Sequence, residues 1–105
     1  MSLTLVRLKA AREDIVEIGS YLAQENVRAA ESFLAALDDT LKSLVHMPMM
    51  GSVYQLAEGH ELRRFWVKGF DKYLIFYQVF DDRIELVRVI HGARDIPTLL
   101  EDFDG

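Results

Sequence analysis

The chain contains no cysteine among its 105 residues, which excludes disulfide bonds, thiolate nucleophiles and cysteine metal ligands. Proline occurs only twice, and no stretch rich in proline, glycine and serine marks a linker. Half of the residues are apolar, which is typical of a folded chain and not of a disordered one. At this length we expect a single domain, residues 1–105, with one hydrophobic core.

Long apolar runs are also missing, because none approaches the roughly 20 residues that a membrane-spanning helix needs. The first residues lack the basic and then apolar pattern of a secretory signal. Together with the absence of cysteine, these features lead us to expect a cytoplasmic protein with no membrane contact.

An excess of basic residues is absent as well: 12 Lys and Arg stand against 17 Asp and Glu, a net charge of −5. This balance argues against a surface that coats nucleic acid, and we expect no sequence-specific nucleic-acid binding by the chain alone. Residues 60–94 carry seven basic and five acidic side chains and form the net-positive part of the sequence. Scattered surface charge accounts for most of these residues.

Apolar spacing in the first half of the chain predicts two helices joined by a short link. One helical stripe is formed by residues four, three and four apart: Ala11, Ile15, Ile18 and Leu22. A second stripe follows the polar break at Gln24–Asn26 and runs from Ala30 to Val45. A short strand, Leu3–Leu8, precedes this helical hairpin, and Pro48 cannot continue the second helix.

Three strand-like runs follow a polar stretch, residues 52–60, that the pattern leaves unassigned: Glu61–Val67, Asp71–Val79 and Arg83–His91. Their connections are short, which predicts antiparallel hairpins. A last short helix is expected after Gly92, with Asp95 as its cap and Pro97 in its first turn. The predicted fold is α+β, a small antiparallel sheet packed on an αα-hairpin in the order β-α-α-β-β-β-α.

Both faces of this predicted sheet are apolar. On the last run, Ile84, Leu86 and Ile90 point to one side, while Val87 and Val89 point to the other. An antiparallel sheet with one face in water should instead alternate apolar and polar residues. Two helices can cover one face, so the other needs the terminal helix, a second copy of the chain or a segment of a partner.

The sequence offers little support for a metal or a cofactor, and none is expected. His46, His60 and His91 lie far apart without the spacing of metal ligands, and a lone histidine at the end of a strand is more often structural. The glycines are isolated, so none of them forms a phosphate-binding loop.

The stretch RVIHGARDI, residues 88–96, is the remaining candidate for chemistry. RNA cleavage through the 2′-hydroxyl needs an acid and a base, either of which His91 could supply, and cations for the phosphate. Those cations could come from Arg64, Arg88 and Arg94. In a regular strand Arg88 and His91 face opposite sides, so they share a site only if the strand bulges. Alternatively, Arg94 and Asp95 form an ion-paired corner.

Four segments occur in a recognisable order: AREDIVEIGSYLA, MPMMG, LRRFWVKGFDKYLIFYQVFDD and IELVRVIHGARDIPTLL. In this order they resemble the ParE/RelE toxin superfamily of bacterial toxin–antitoxin modules. The resemblance covers nearly the whole chain, and YLIFYQV with RVIHGARDI carries most of it. It implies the fold predicted above, with a twisted sheet.

The resemblance also separates two activities. RelE-like members are ribosome-dependent mRNA endonucleases without a metal, whereas ParE-like members poison DNA gyrase. RelE-like nucleases carry an arginine where this chain has Leu74, a second arginine that Arg94 matches, and a catalytic tyrosine where this chain has Leu100. Leucine neither transfers a proton nor binds phosphate, so the chain is more similar to the ParE branch.

The resemblance therefore implies a toxin that binds gyrase, has no catalytic residues and is neutralised by a cognate antitoxin similar to ParD or RelB. The residues expected to contact a partner are Arg63, Arg64, Trp66, Arg88, His91 and Arg94. The alternative is a metal-independent endoribonuclease that uses Arg64, Lys68, His91 and Arg94. A third possibility is a non-toxic relative that keeps only the antitoxin interface.

Overall fold

The protein is described by a computed structural model that covers residues 3–56, 59–101 and 103. A five-stranded sheet carries a helical hairpin on one face and the C-terminal segment on the other. The elements follow one another as β1 (Thr4–Arg7), α1 (Lys9–Glu25), α2 (Val27–His46), a 3-10 turn (Pro48–Met50), β2 (Ser52–Gln55), β3 (Glu61–Val67), β4 (Phe70–Val79), β5 (Arg83–His91) and α3 (Ile96–Leu99).

The predicted α+β class and order of elements are confirmed, and the structure adds two features to the sheet. β2 lies in the stretch that the sequence pattern left unassigned, and it pairs antiparallel with β3. β1 pairs in parallel with β5, with Thr4 opposite Arg83, so the sheet is mixed with the strand order β1-β5-β4-β3-β2. Short connections predict pairing only between strands that follow each other in the sequence. They do not predict the pairing of β1 with β5, which lie near opposite ends of the chain.

The predicted link between the two helices is a capped turn. The side chain of Asn26 accepts hydrogen bonds from the backbone N–H groups of Arg28 and Ala29, so it ends α1 and caps α2. Farther along α2, the buried hydroxyl of Thr40 donates to the Ala36 carbonyl and accepts from the Lys68 N–H. That pair of bonds joins α2 to the turn between β3 and β4.

The sheet face under the hairpin holds the larger part of the core. This helix-side core joins the buried stripe of α2 to β3, β4 and β5: Ala11, Phe33, Leu37, Leu41, Leu44, Phe65, Val67, Ile75, Tyr77, Ile84, Leu86 and Val89. No helix in the described parts of the chain has the length and hydropathy needed to cross a membrane.

The opposite sheet face is covered by the chain's own C-terminal segment. Its buried residues form a second-face cluster: Leu62, Phe76, Val87, Ile90 and Leu100. Partly buried Ile96, Leu99 and Phe103 pack against this cluster from the C-terminal segment. Of the three covers that the sequence left open, the described residues supply the terminal helix and the residues that follow it.

A bulge in β5 changes the alternation that was expected for that strand. Tyr77 pairs with Leu86 and Phe76 pairs with Arg88, so Val87 is the extra residue. Val89 therefore lies in the helix-side core and Ile90 in the second-face cluster, the reverse of the prediction. A regular period of two cannot anticipate this exchange of faces.

Tyr77 joins the end of the helical hairpin to the middle of the sheet. Its ring is fully buried, and its hydroxyl donates to the Pro48 carbonyl at 2.8 Å and accepts from the Gly51 N–H at 2.9 Å. A Cβ atom on Gly51 would lie 2.5 Å from that hydroxyl oxygen. Glycine is therefore required here by close approach.

Replacing Tyr77 with Phe should lower the free energy of unfolding by about 1–2 kcal/mol, because the buried Gly51 N–H loses its acceptor. Urea unfolding followed by circular dichroism measures this change. The same substitution at the exposed Tyr21 is the matched control and should leave the free energy of unfolding nearly unchanged. Equal effects at the two positions would contradict the role of the buried hydroxyl.

The burial of Tyr77 predicts that the stability of the fold also depends on pH in the alkaline range. Burial raises the pKa of the Tyr77 hydroxyl, against the smaller opposing effects of the Gly51 hydrogen bond and the Arg63 charge. The tyrosine of the unfolded chain therefore ionises first, and the stability of the fold falls as pH rises above about 10. The Tyr77→Phe variant should lose less stability over that range than the wild type.

Candidate functional site

The open part of β5 is the feature around which a site forms. β1 accompanies β5 only as far as Leu86, whose carbonyl accepts the Leu8 N–H at 3.0 Å. Beyond that point no strand among the described residues pairs with β5 on this side. An unpaired strand edge exposes backbone groups that need partners.

Asp14 of α1 supplies the partner of one such backbone group and also binds Arg88. Its carboxylate accepts the Val89 N–H at 3.0 Å. The same carboxylate accepts two hydrogen bonds from the Arg88 guanidinium, at 2.7 Å from Nε and 2.8 Å from Nη2. Arg88 Nη1 also donates to the Leu99 carbonyl at 2.8 Å. This Asp14–Arg88 clasp therefore ties α1, β5 and α3 together.

The clasp is largely removed from water, since the Arg88 and Asp14 side chains are 20% and 13% exposed. Donating hydrogen bonds to Asp14 raises the pKa of the Arg88 guanidinium, although burial opposes this. The guanidinium thus stays charged at neutral pH. Removing one member of such a pair leaves a buried charge without compensation, which costs more than the intact pair contributes.

A cavity of about 490 Å³ lies beside the clasp, within the usual size range of ligand pockets. The lining of this β5-edge cavity comes from α1, β4, β5, α3 and the turn after β5: Asp14, Glu17, Ile18, Ser20, Tyr21, Gln24, Tyr73, Arg88, Val89, Ile90, His91, Arg94 and Leu99. Its lining combines aliphatic and aromatic side chains with a few charged ones, a composition suited to a side chain of a partner.

His91 and Arg94 line this cavity in different ways. The His91 ring packs edge-on against Tyr73, with 5.0 Å between ring centroids, and its Nδ1 accepts the Ala93 N–H at 3.0 Å. The Arg94 backbone N–H donates to the His91 carbonyl, whereas the exposed Arg94 side chain forms no hydrogen bond or ion pair with any described residue. Arg94 is therefore available to a partner.

The alternative of an Arg94–Asp95 corner is wrong, because the structure contains no such ion pair among its described residues. Asp95 instead caps α3, as predicted: its carboxylate accepts from the Thr98 hydroxyl at 2.7 Å and from the Thr98 N–H at 3.5 Å. Pro97 lies in the first turn of that helix, also as predicted.

Arg88 and His91 do meet at one cavity, although not in the way expected. The bulge at Val87 precedes both residues, so they still alternate along β5. They come together because the long Arg88 side chain extends over the open strand edge to Asp14 of α1. The alternation of side chains along a strand predicts which face each residue occupies, but it does not predict that a long side chain crosses the strand edge.

Arg63 and Arg64 lie outside the β5-edge cavity, on opposite faces of β3. Arg63 Nη1 donates to the Gly51 carbonyl at 2.6 Å and so helps to hold the end of the 3-10 turn. The Arg64 guanidinium lies 5.9 Å from the ring centroid of Tyr54, which packs on the second-face cluster. These two predicted partner contacts are therefore separated from each other and from the cavity.

Trp66 and Lys68 also lie apart from the cavity. The half-exposed Trp66 ring stacks on Phe65, with 4.1 Å between centroids. Lys68 reaches α2, where its Nζ lies 3.5 Å from the Ser43 hydroxyl. Of the residues in the endonuclease alternative, only His91 and Arg94 line the β5-edge cavity.

Leu74 and Leu100 stand where the resemblance places nuclease residues; Leu100 is buried and Leu74 is partly buried. Leu100 is 2% exposed in the second-face cluster, and Leu74 packs against that cluster from β4. Neither side chain lines the β5-edge cavity. In this chain both positions serve packing.

Sequence reasoning missed Asp14 as a site residue. One signal could have identified it: Asp14 lies three residues after Ala11 and four before Ile18, which places it on the apolar stripe of α1. An acidic residue on a buried stripe needs a buried partner. The identity of that partner, Arg88, does not follow from local spacing.

In the described residues no group of three or more His, Asp and Glu side chains could hold a metal ion.

A comparison with protein families matches residues 5–96 to the model described as the ParE toxin of the type II toxin–antitoxin system, parDE. The matched range extends from β1 to the first residue of α3 and includes both members of the clasp, His91 and Arg94. A search of curated proteins finds no match to this chain.

Replacing Asp14 with Ala should lower the free energy of unfolding by about 2–4 kcal/mol, because Arg88 and the Val89 N–H both lose their partner. The matched control is Asp38→Ala, which breaks the exposed ion pairs of Asp38 with Arg7 and Lys42 and should cost less than about 1 kcal/mol. Chemical denaturation measures both values. An Asp14 variant as stable as the Asp38 variant would rule out the clasp as a structural requirement.

Proposed function

Since the chain belongs to the ParE toxin family of type II toxin–antitoxin systems, we propose that it inhibits growth by binding DNA gyrase. A cognate antitoxin encoded beside it neutralises this activity. The proposed action requires protein contact and no bond-breaking chemistry by the chain itself.

The observation that carries this proposal is the packing of Leu74 and Leu100 against the second sheet face. Two of the three positions that the resemblance assigns to a nuclease are thus occupied by leucines, Leu100 buried in the second-face cluster and Leu74 packed against it. Loss of a general acid or base typically costs about 10²–10⁴-fold in rate, and loss of an electrostatic stabiliser costs a similar factor. Both losses together argue against a working RNA-cleaving site.

The positions of the other polar candidates favour the same conclusion. Arg64 lies beside Tyr54 and Lys68 beside α2, so neither lines the cavity that contains His91 and Arg94. A phosphoryl-transfer site needs its acid, base and cations within hydrogen-bonding reach of one phosphate.

We assign contact with the target to the β5-edge cavity. Its aliphatic and tyrosine side chains stand beside the exposed guanidinium of Arg94, which has no hydrogen-bond or ion-pair partner among the described residues. Contacts that dominate protein interfaces are commonly aromatic residues and arginines around a well-packed centre. The Asp14–Arg88 clasp keeps the cavity walls in place but, being internally paired, offers little to a partner.

The antitoxin is assigned to a second surface, the outer groove between α1 and α2. Exposed Val16 and Leu34 line this groove together with Ile15, Ala35 and Leu37. An amphipathic arm with Leu, Ile or Val side chains fits such a groove. The second sheet face, for which a partner segment was one of three possible covers, is instead packed against Ile96, Leu99 and Phe103.

Induction of the chain in a bacterial culture tests the choice of target. We expect covalent gyrase–DNA adducts and DNA-damage signalling, with no specific cleavage of ribosome-bound mRNA, because the nuclease positions are apolar. Adduct recovery and primer extension on abundant messages measure both outcomes in one culture. Codon-position cleavage without adducts would instead establish an endonuclease, and normal growth with neither signal would indicate a non-toxic antitoxin-binding relative.

Replacing Arg94 with Ala should weaken growth inhibition while changing the melting temperature little, since this side chain has no partner within the described chain. The matched control is Arg28→Ala on the first turn of α2, which removes the same charge from an exposed position outside the cavity. Growth assays beside thermal melts separate the two effects. A loss of activity matched by a loss of stability would remove Arg94 from the contact site.

A further inference from the structure

The two outer strands of the sheet differ in how their edges are protected. Exposed edges recruit other strands unless charge, proline or a covering element prevents it. β1 carries Arg7, which is paired with Asp38, and the open part of β5 is capped by Asp14. β2 has the sequence SVYQ, with no charged residue and no proline.

The backbone groups on the outer side of β2 can be identified from its pairing with β3. The Leu56 N–H donates to the His60 carbonyl at 2.7 Å, so Leu56 and, by alternation, Tyr54 present their backbone groups to β3. Val53 and Gln55 must therefore direct their N–H and C=O groups away from the sheet. No hydrogen bond from a described residue reaches those groups.

Exposed apolar side chains lie on β2 and just before it in the sequence. Val53 is 51% exposed, and Met47 and Met49, just before the strand, are each 62% exposed. We call Met47, Met49 and Val53 together with the outer side of β2 the β2 edge patch. An uncharged strand edge beside apolar side chains has the features of a pairing surface.

We propose that the β2 edge patch joins two copies of this chain through antiparallel β2–β2 pairing. The two-fold axis passes beside Tyr54, so Val53 of each copy exchanges N–H···O=C hydrogen bonds with Gln55 of the other. The two outward residues are equally spaced about Tyr54, and this register uses all their backbone groups. No charged residue on β2 opposes its symmetry mate.

A second copy fits this surface because the strand is self-complementary. A two-fold contact uses the same patch on both molecules and closes the open edge, so association stops at the dimer. A four-residue strand spans only about 13 Å. The interface is therefore smaller than the roughly 800 Å² per partner of a stable complex, and we expect a dissociation constant in the micromolar range.

Sedimentation of the purified full chain, made by cell-free synthesis, tests the association over a range of concentrations. Two variants should each raise the dissociation constant roughly tenfold or more, because symmetry applies every lost contact twice. Val53→Lys places a charge on the edge, and Val53→Pro removes an outward N–H that β3 does not use. Val16→Lys, at another exposed valine that lies on α1, is the control and should leave association unchanged.

Disulfide trapping tests the register, since the native chain has no cysteine. In the proposed pairing Tyr54 faces its own mate as a non-hydrogen-bonded pair about 4.5 Å apart at Cα, within the reach of a disulfide. In a glutathione redox buffer Tyr54→Cys should form a covalent dimer, whereas Gln55→Cys, which faces Val53, should not. Non-reducing electrophoresis distinguishes the two, and circular dichroism confirms that each variant is folded.

Three results would overturn the proposal: a monomer up to millimolar concentration, dissociation by Val16→Lys in place of the Val53 variants, or equal trapping by both cysteines. A monomeric chain whose Val53→Pro variant no longer binds the antitoxin would assign the edge to the antitoxin instead. None of these measurements depends on gyrase, so they stand or fall independently of the proposed target.

Discussion

The Asp14–Arg88 clasp binds the part of β5 that β1 leaves unpaired. β1 is too short to accompany β5 to its end, and a buried strand edge needs partners for its backbone groups. The Asp14 carboxylate accepts from the Val89 N–H and from two nitrogens of the Arg88 guanidinium, whose third nitrogen donates to the Leu99 carbonyl. Because α1, β5 and α3 meet at these two side chains, the shape of the β5-edge cavity depends on them.

The same arrangement bears on what the surface can do. The charge of Arg88 is paired with the carboxylate of Asp14. Arg94, in the turn after β5, has no side-chain partner in the described chain. Leu74 and Leu100 contribute to the apolar cover of the second sheet face. The two positions that carry catalytic residues in a nuclease thus hold apolar side chains, while Arg94 beside the β5-edge cavity has no partner in the described chain. For this reason we favour contact with a protein target.

Local sequence patterns were sufficient to predict elements whose interacting residues are close together in the sequence. The bounds of β3 and β5, the Asp95 cap and the helical stripes followed from spacing and residue type. Pairings between distant segments did not follow: β1 with β5, Asp14 with Arg88, and the bulge that exchanges Val89 and Ile90 between the faces. β2 was missed because four uncharged residues are too few for a period to show.

Hydrogen–deuterium exchange of the chain, alone and bound to purified gyrase, tests the central claim most directly. The proposed contact predicts that gyrase slows exchange in the segments that line the β5-edge cavity, around Tyr21 in α1 and from His91 to Arg94. Exchange near Arg64 and Lys68, which lie elsewhere, should be unchanged. Protection confined to the Arg64 and Lys68 segments, or no protection at saturating gyrase, would contradict the account.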